Sequence, residues 1–135
     1  MVLEKRTRTD QGQFGEDAAV THLQKEGHAI LARNWRWKRA EIDIVSWDGF
    51  RIVFHEVKFR SGCVMSANDP RLWMPSTAQK KRIVQAGHVY LRHEVGRLVD
   101  CQFDVMLVSV LHQQVHITRI ADAFSSSHGW GRVVG

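Results

Sequence analysis

The stretch from Glu41 to Arg60, EIDIVSWDGFRIVFHEVKFR, restricts what this chain can fold into more than any other part of it. Two runs rich in Ile, Val and Phe flank Asp48-Gly49, a dipeptide that accepts the positive φ angles of a tight hairpin. With Asp48 and Gly49 as the loop, Trp47 is expected opposite Phe50, Asp43 opposite Phe54 and Glu41 opposite Glu56. Alternation then sends Glu41, Asp43, Val45 and Trp47 to one face, beside Ile52, Phe54, Glu56 and Lys58. The other face receives Ile42, Ile44, Val53, Val57 and Phe59, with Ser46, Arg51 and His55 as its polar members. Both faces are apolar near the turn, as in an interior hairpin, yet one ends in three carboxylates and an ammonium.

Like carboxylates at cross-strand distance repel, and each has its pKa raised unless a cation neutralises the site. Asp43 and Glu56 are expected as diagonal neighbours, roughly 7 to 8 Å apart at Cα, near enough to converge on one hard metal such as Mg²⁺. Lys58, two residues beyond Glu56 on that face, is placed to hold an attacking water or to offset charge on a phosphorane-like transition state. This is the chemistry of phosphodiester hydrolysis. The competing reading is an ion-pair network in which Lys58 merely neutralises Glu56 or Glu41. Parity decides whether the two acids meet, because an odd shift in register would put them on opposite faces.

The rest of the chain supplies a scaffold. Its 135 residues suit one domain, and 19 Lys and Arg against 14 Asp and Glu give a charge of +5, which favours a nucleic-acid partner. A content of 44% hydrophobic and 24% charged residues excludes wholesale disorder and fibrous repeats. No run approaches the roughly 18 apolar residues of a membrane span, so a cytoplasmic protein without membrane contact is expected. Cys63 and Cys101 have no ligand spacing and read as reduced thiols, and the eight histidines show no HExxH, so zinc is not expected.

A helix is expected over Gln11 to Glu26, capped by Thr9 or Asp10 with Gln13 in a capping box, and ended by Gly27. Its inward stripe is Gly12, Glu16, Ala19, Val20 and Leu23; Phe14 falls opposite, either against the basic N-terminal arm or exposed. HAILARNWRWKR reads as a short strand and a basic, aromatic turn region. After a long loop from Ser61 to Pro75, Ser76 with Gln79 repeats the capping-box spacing, and Ile83, Ala86, Gly87 and Tyr90 form the inward stripe of a helix to about His93. Strands over Val99 to Val110 and Val115 to Ile120 follow, then a short helical turn at Asp122 to Phe124 and a frayed Ser/Gly-rich tail. The order αβββαββ makes an α/β domain over residues 1–124, a mixed sheet flanked by helices, with 125–135 as tail.

A carboxylate on one strand and Glu-x-Lys on the next, with an acidic helix before and a Gln or Lys helix after, resembles the PD-(D/E)xK nuclease superfamily. More closely, the chain resembles the YraN-like family of small nuclease-like proteins. The resemblance runs through GxxGExxAxxxL (Gly12 to Leu23), ARN (Ala32 to Asn34), EID (Glu41 to Asp43), EVK (Glu56 to Lys58), CQFDV (Cys101 to Val105) and DAF (Asp122 to Phe124). It implies a restriction-endonuclease-like core related to archaeal Holliday junction resolvases. It further implies Mg²⁺ or Mn²⁺ on Asp43 and Glu56, with Glu16 as a further candidate, Lys58 as catalytic lysine, and Gln79 and Lys80 toward substrate or water. The expected activity is an endonuclease on DNA, branched or single-stranded, and a resolvase-like task favours a homodimer. Ala40 stands where the family usually has Gly, Gln79 where Lys is common and Gln102 where Arg is common. These departures keep a second expectation open, a noncatalytic nucleic-acid-binding module on the same fold.

The other features each allow two readings. Arg33, Trp35, Arg36, Trp37, Lys38 and Arg39 alternate cations with rings, as at a nucleic-acid contact or as where a strand edge buries rings and leaves charges in water. Lys80, Lys81 and Arg82 read as contacts to a phosphate backbone or, being spread around a helix, as a solvated face, and only Lys80 is expected to lean toward the site. His55 and Asp104 are expected in packing and hydrogen bonding rather than in catalysis.

Overall fold

Helix α1 (Arg8–Lys25) is the first element of the computed structural model, which describes residues 8–97 and 99–125. The helix begins before Thr9 and Asp10, so the expected caps lie inside it and the Asp10–Gln13 spacing does not mark its start. Its end is as expected. Gly27 adopts φ 93°, and the N–H groups of His28 and Gly27 reach the carbonyls of Leu23 and Gln24 at 2.9 and 3.0 Å, the paired bonds of a Schellman cap.

Strands β1 (Ala29–Trp37), β2 (Ala40–Trp47), β3 (Ile52–Ser61), β4 (Cys101–Leu111) and β5 (Gln114–Phe124) form one sheet in the order β1-β2-β3-β4-β5. All neighbours are antiparallel except β3 and β4, which run parallel and are joined through helix α2 (Thr77–Tyr90). The chain is thus an α/β protein with a five-stranded mixed sheet and two helices. Strand β1 runs through both tryptophans and turns at Lys38-Arg39, with Lys38 at φ 56°, so it is longer than the short strand expected. The turn at His112 and Gln113 has φ 51° and 63°, the signature of a two-residue type I′ loop. The expected helical turn at Asp122 to Phe124 does not form: β5 continues to Phe124, and Asp122 at φ 53° sits in a bulge where the register with β4 shifts between Phe103 and Val105.

The helices cover opposite faces. Under α1, Ala19 and Leu23 pack with Ile44, Met106 and Val108. Glu16, Ala19 and Leu23 of the expected stripe are buried and Val20 packs against the cluster, but Gly12 is open; a Cβ on Gly15 would lie 2.9 Å from Phe59 Cβ, so the close approach of helix to sheet is made at Gly15. Phe14 sits edge-on to Phe59 at 5.6 Å between centroids, which places it against the sheet rather than in the open. Under α2, Phe54 stacks on Phe103 at 5.1 Å and meets Tyr90 edge-on at 5.8 Å. A Cβ on Gly87 would come within 3.0 Å of both phenylalanine rings, so that helix too lies as close as glycine allows. Ser76 and Gln79 make the full capping box, and Ile83, Ala86, Gly87 and Tyr90 are all buried, as the spacing predicts. Ile42, expected beside Ile44, belongs instead to the α2-side cluster with Trp35 and Trp37. The left-handed Asn34, φ 52°, interrupts regular alternation in β1 and gives a local reason for this change of side.

Between α1 and the sheet lies a buried polar chain. Ser46 Oγ is 2.9 Å from His28 Nδ1 and 2.8 Å from His55 Nε2, and burial lowers the His55 pKa to about 3. Asp104 is fully buried and accepts from Gln102, Arg119 and the Asp122 backbone. Both residues therefore serve packing and hydrogen bonding. Cys101 is buried, its thiol pushed up to about 12, and Cys63 is exposed; neither forms a disulfide. The expected tail is described only at Ser125; residues 126–135 lie outside the described residues, as do 1–7.

Candidate active site

The turn between β2 and β3 sets the site's geometry. Asp48 Oδ1 accepts the backbone N–H groups of both Phe50 and Arg51 at 2.8 Å, which takes these residues out of the ladder and lengthens the loop to four residues. Trp47 consequently pairs with Ile52, not Phe50. The displacement is by two residues, so the paired part of the hairpin, Ile44 to Trp47 against Ile52 to His55, keeps the faces expected for it. Continued one step past its last pair, the same register would set Asp43 opposite Glu56 rather than diagonal to it.

The β2–β3 ladder stops one pair short of these acids, at Ile44 and His55. Beyond it Asp43 Oδ2 accepts the Val57 N–H at 2.8 Å, so a side-chain oxygen replaces the carbonyl that a continued ladder would have supplied. A pocket of about 210 Å³ lies there. Asp43, Glu56 and Glu41 contribute its carboxylates, Gln79, Arg82 and Ile83 of α2 form one wall, and Arg39 and Ala40 form the rim.

Burial, and next the charge of Glu56, push the Asp43 carboxyl up to about 8, against the opposing Val57 hydrogen bond. Glu56 is also raised by burial, with Lys58 opposing; Lys58 Nζ lies 3.5 Å from Glu56 Oε1. Both acids thus resist sharing the pocket as anions, and the cation beside Glu56 leaves Asp43 as the natural holder of a proton. Glu41 is held by Arg36 at 2.7 Å. Glu16 is buried, and its Oε1 accepts from Arg33 Nε and Asn34 Nδ2, each at 2.9 Å. Those bonds tie α1 to β1. Its charge is felt at Asp43, as its place on the inward stripe suggested, but it does not line the pocket.

The remaining expected site residues divide. Gln79 reaches the pocket with its Oε1 engaged by the Ser76 N–H, so its Nε2 hydrogens are what it offers. Lys80, expected to lean toward the site, is not among the lining residues; Arg82 is, because Gln79, Arg82 and Ile83 stand at i, i+3 and i+4 on one helical stripe. In the basic run, Arg33 pairs with Glu16 and Asp17, and Trp35 packs edge-on against Tyr90 at 5.3 Å. Trp37, Lys38 and Arg39 gather beside the pocket.

Two hard oxygen donors that repel each other in a half-buried pocket fit a divalent cation of the Mg²⁺ type. Among the described residues no group of three or more His, Cys, Asp and Glu is arranged to hold a metal. A cation on Asp43 and Glu56 would therefore complete its shell with water, backbone oxygen or substrate, as Mg²⁺ usually does. One linkage follows. The folded-state pKa of Asp43 is raised, from 3.8 to about 8, so its contribution to stability is present at low pH and is lost as pH rises across that window. In chelator, the melting temperature is expected to fall on going from pH about 5 to about 8, and Asp43→Asn to flatten that slope and melt about 3 °C higher at the upper pH. Mg²⁺ should raise the melting temperature of the unsubstituted protein at that pH, and that of Asp43→Asn much less; thermal denaturation followed by circular dichroism reads both effects.

Fold and site together define a small α/β protein with carboxylates where two strands cease to pair. Residues 15–108 match the family model described as Uncharacterised protein family UPF0102, and the chain belongs to that family. This bears out the YraN-like family expected from the motifs. A UPF0102 protein of Chlorobium chlorochromatii is 38% identical over 117 residues, covering 87% of this chain and 85% of the relative. One of Nitratidesulfovibrio vulgaris is 36% identical over 121 residues, covering 89% and 87%, and one of Herminiimonas arsenicoxydans is 39% identical over 109 residues, covering 77% and 83%. No helix among the described residues is long and apolar enough to cross a membrane.

Proposed function

We propose that this protein is a divalent-metal-dependent endonuclease that hydrolyses phosphodiester bonds in DNA, on a core of the restriction-endonuclease-like kind. The observation that carries the reading is the pair Asp43 and Glu56 in one pocket, with Lys58 Nζ 3.5 Å from Glu56. Bound by the two carboxylates, Mg²⁺ or Mn²⁺ would polarise the phosphate and lower the pKa of water. Asp43, its proton lost to solvent, would be one ligand, and its Val57 hydrogen bond holds the carboxylate in one orientation. Lys58 donates to the attacking water or to the phosphoryl oxygen that gains charge. The water loses a proton to solvent as its oxygen forms the new bond to phosphorus, and the ester oxygen departs with the electron pair of the broken bond and takes up a proton from solvent. A branched substrate would favour action as a two-fold dimer.

The test is cleavage of single-stranded, duplex and branched DNA with Mg²⁺ or Mn²⁺. Cleavage abolished by chelator is the expected result; intact DNA of all three kinds overturns the reading. The engagement of Glu16 by Arg33 and Asn34 favours a second reading, a noncatalytic nucleic-acid-binding module. Salt-dependent DNA binding with a flat calorimetric Mg²⁺ titration would select that one.

A further inference from the structure

A second depression, of about 260 Å³, adjoins the acid pocket. It is lined by Trp37, Lys38, Arg39, Ala40, Arg82 and Gln85, and it shares Arg39, Ala40 and Arg82 with its neighbour. The two hollows therefore adjoin across the wall these residues form, so one extended strand lying over that wall would touch both. Arg39 and Arg82 belong to both linings, and what differs is the acids. The acid pocket holds three carboxylates, whereas the second lining carries three cations and no acid.

Several arginines elsewhere in the protein are already paired with acids. Arg33, Arg36, Arg51, Arg71 and Arg119 each lie within ion-pair distance of a carboxylate. Arg39, Arg82 and Lys38 have no ion pair among the described residues, and Lys38 Nζ rests instead 4.7 Å from the centroid of the Trp37 ring. Two guanidinium groups that line one hollow and make no ion pair suit a phosphate, which they can grip through paired N–H donors. An aromatic wall beside them suits a nucleobase. A duplex keeps its bases inside its own stack, so the ring is useful only to an unpaired nucleotide. Lys38 covers the ring through an exposed cation–π interaction, weaker than base–aromatic stacking, and can exchange it for the incoming phosphate.

We propose that this second depression holds one unpaired nucleotide of a DNA strand, its phosphate on Arg39 and Arg82 and its base on Trp37. The inference rests on the hydrolytic reading only in taking the acid pocket as the place of the neighbouring, scissile phosphate. It makes single-stranded segments the preferred substrate and Arg39, Arg82 and Trp37 binding residues.

The experiment is fluorescence anisotropy of labelled oligo(dT) and of a duplex of equal length, using the full chain in an Asp43→Asn background so that nothing is cleaved. Arg39→Ala with Arg82→Ala should weaken oligo(dT) binding about tenfold or more and reduce the salt slope by about 0.7 for each phosphate that is no longer neutralised. Trp37→Leu should weaken oligo(dT) about tenfold with duplex binding unchanged, and Trp37→Phe should restore most of the affinity. Unchanged oligo(dT) affinity in the double arginine variant, which changes only rim side chains, overturns the proposal. So does an equal weakening on both DNAs in Trp37→Leu, or no oligo(dT) binding at all. The two readings fail separately: this binding pattern without Mg²⁺-dependent cleavage by the unsubstituted protein removes the hydrolytic reading alone, and cleavage without this pattern removes the nucleotide subsite alone.

Discussion

Lys58→Ala is expected to lower Mg²⁺-dependent DNA cleavage by about 10³-fold while leaving the calorimetric metal isotherm within about twofold, and Asp43→Asn to lower both cleavage and metal affinity. The split follows from position. Asp43 and Glu56 supply the oxygens of the pocket, whereas the Lys58 ammonium is 3.5 Å from one Glu56 oxygen and is not among the lining residues of the unliganded hollow. Its attraction to Glu56 is a partly exposed pairing, side chains 26% and 20% accessible, so it adds little to stability and its removal should not unfold the chain. Its value lies in where it points a donor once charge develops on phosphate, an effect worth roughly 10² to 10³ for a single well-placed group. Lys58→Arg keeps the charge but replaces a compact ammonium with a broad fork, and should recover only a small part of the rate. Equal cleavage by the unsubstituted, Lys58→Ala and Asp43→Asn proteins would remove the assignment.

Most of the framework could be read from local chemistry, because it depends on patterns that tertiary packing merely ratifies. The Ser76–Gln79 box, the Gly27 cap and the four-residue inward stripe of α2 are such cases. The shared face of Asp43 and Glu56 was legible for a different reason: parity survives any even displacement, so the longer loop at Asp48 alters which residues oppose one another without moving either acid off its face. What stayed illegible depends on atoms meeting across long stretches of chain. Nothing in EID or EVK announces that the Asp43 side chain captures the Val57 N–H and halts the ladder. Nor does the acid on the α1 stripe announce its partners, since Glu16 is satisfied by Arg33 and by an Asn34 held at positive φ. The basic run was ambiguous because strand alternation predicts faces only while the backbone stays regular, and Asn34 is where it does not. Past it, Trp35 turns to Tyr90, Trp37 lines the neighbouring depression, and Arg39 reaches the rim of the acid pocket.

Asp104→Ala is expected to destabilise the protein by about 3 kcal/mol, and Asp104→Asn by about 1 kcal/mol, which makes a direct contrast with the stabilising Asp43→Asn. Both aspartates are removed from water, and burial raises both carboxyls. They differ in their donors. Asp104 accepts from Gln102 Nε2 at 2.8 Å, Arg119 Nη1 at 2.9 Å and the Asp122 N–H at 2.8 Å, whereas Asp43 receives one backbone N–H and faces another acid. Alanine at 104 leaves three donors without their acceptor at the bulge where β5 joins β4, and breaking one side of such a buried pair is costly even where the intact pair adds little. Asparagine retains an oxygen for the Asp122 N–H and removes mainly the charge that faces Arg119. The effect of alanine corresponds to a fall in melting temperature of about 10 °C, measurable by denaturant or thermal unfolding in chelator. If Asp104→Ala were neutral and Asp43→Asn strongly destabilising, the two acids would have exchanged roles, and the pocket between β2 and β3 would be a structural joint rather than a place for chemistry.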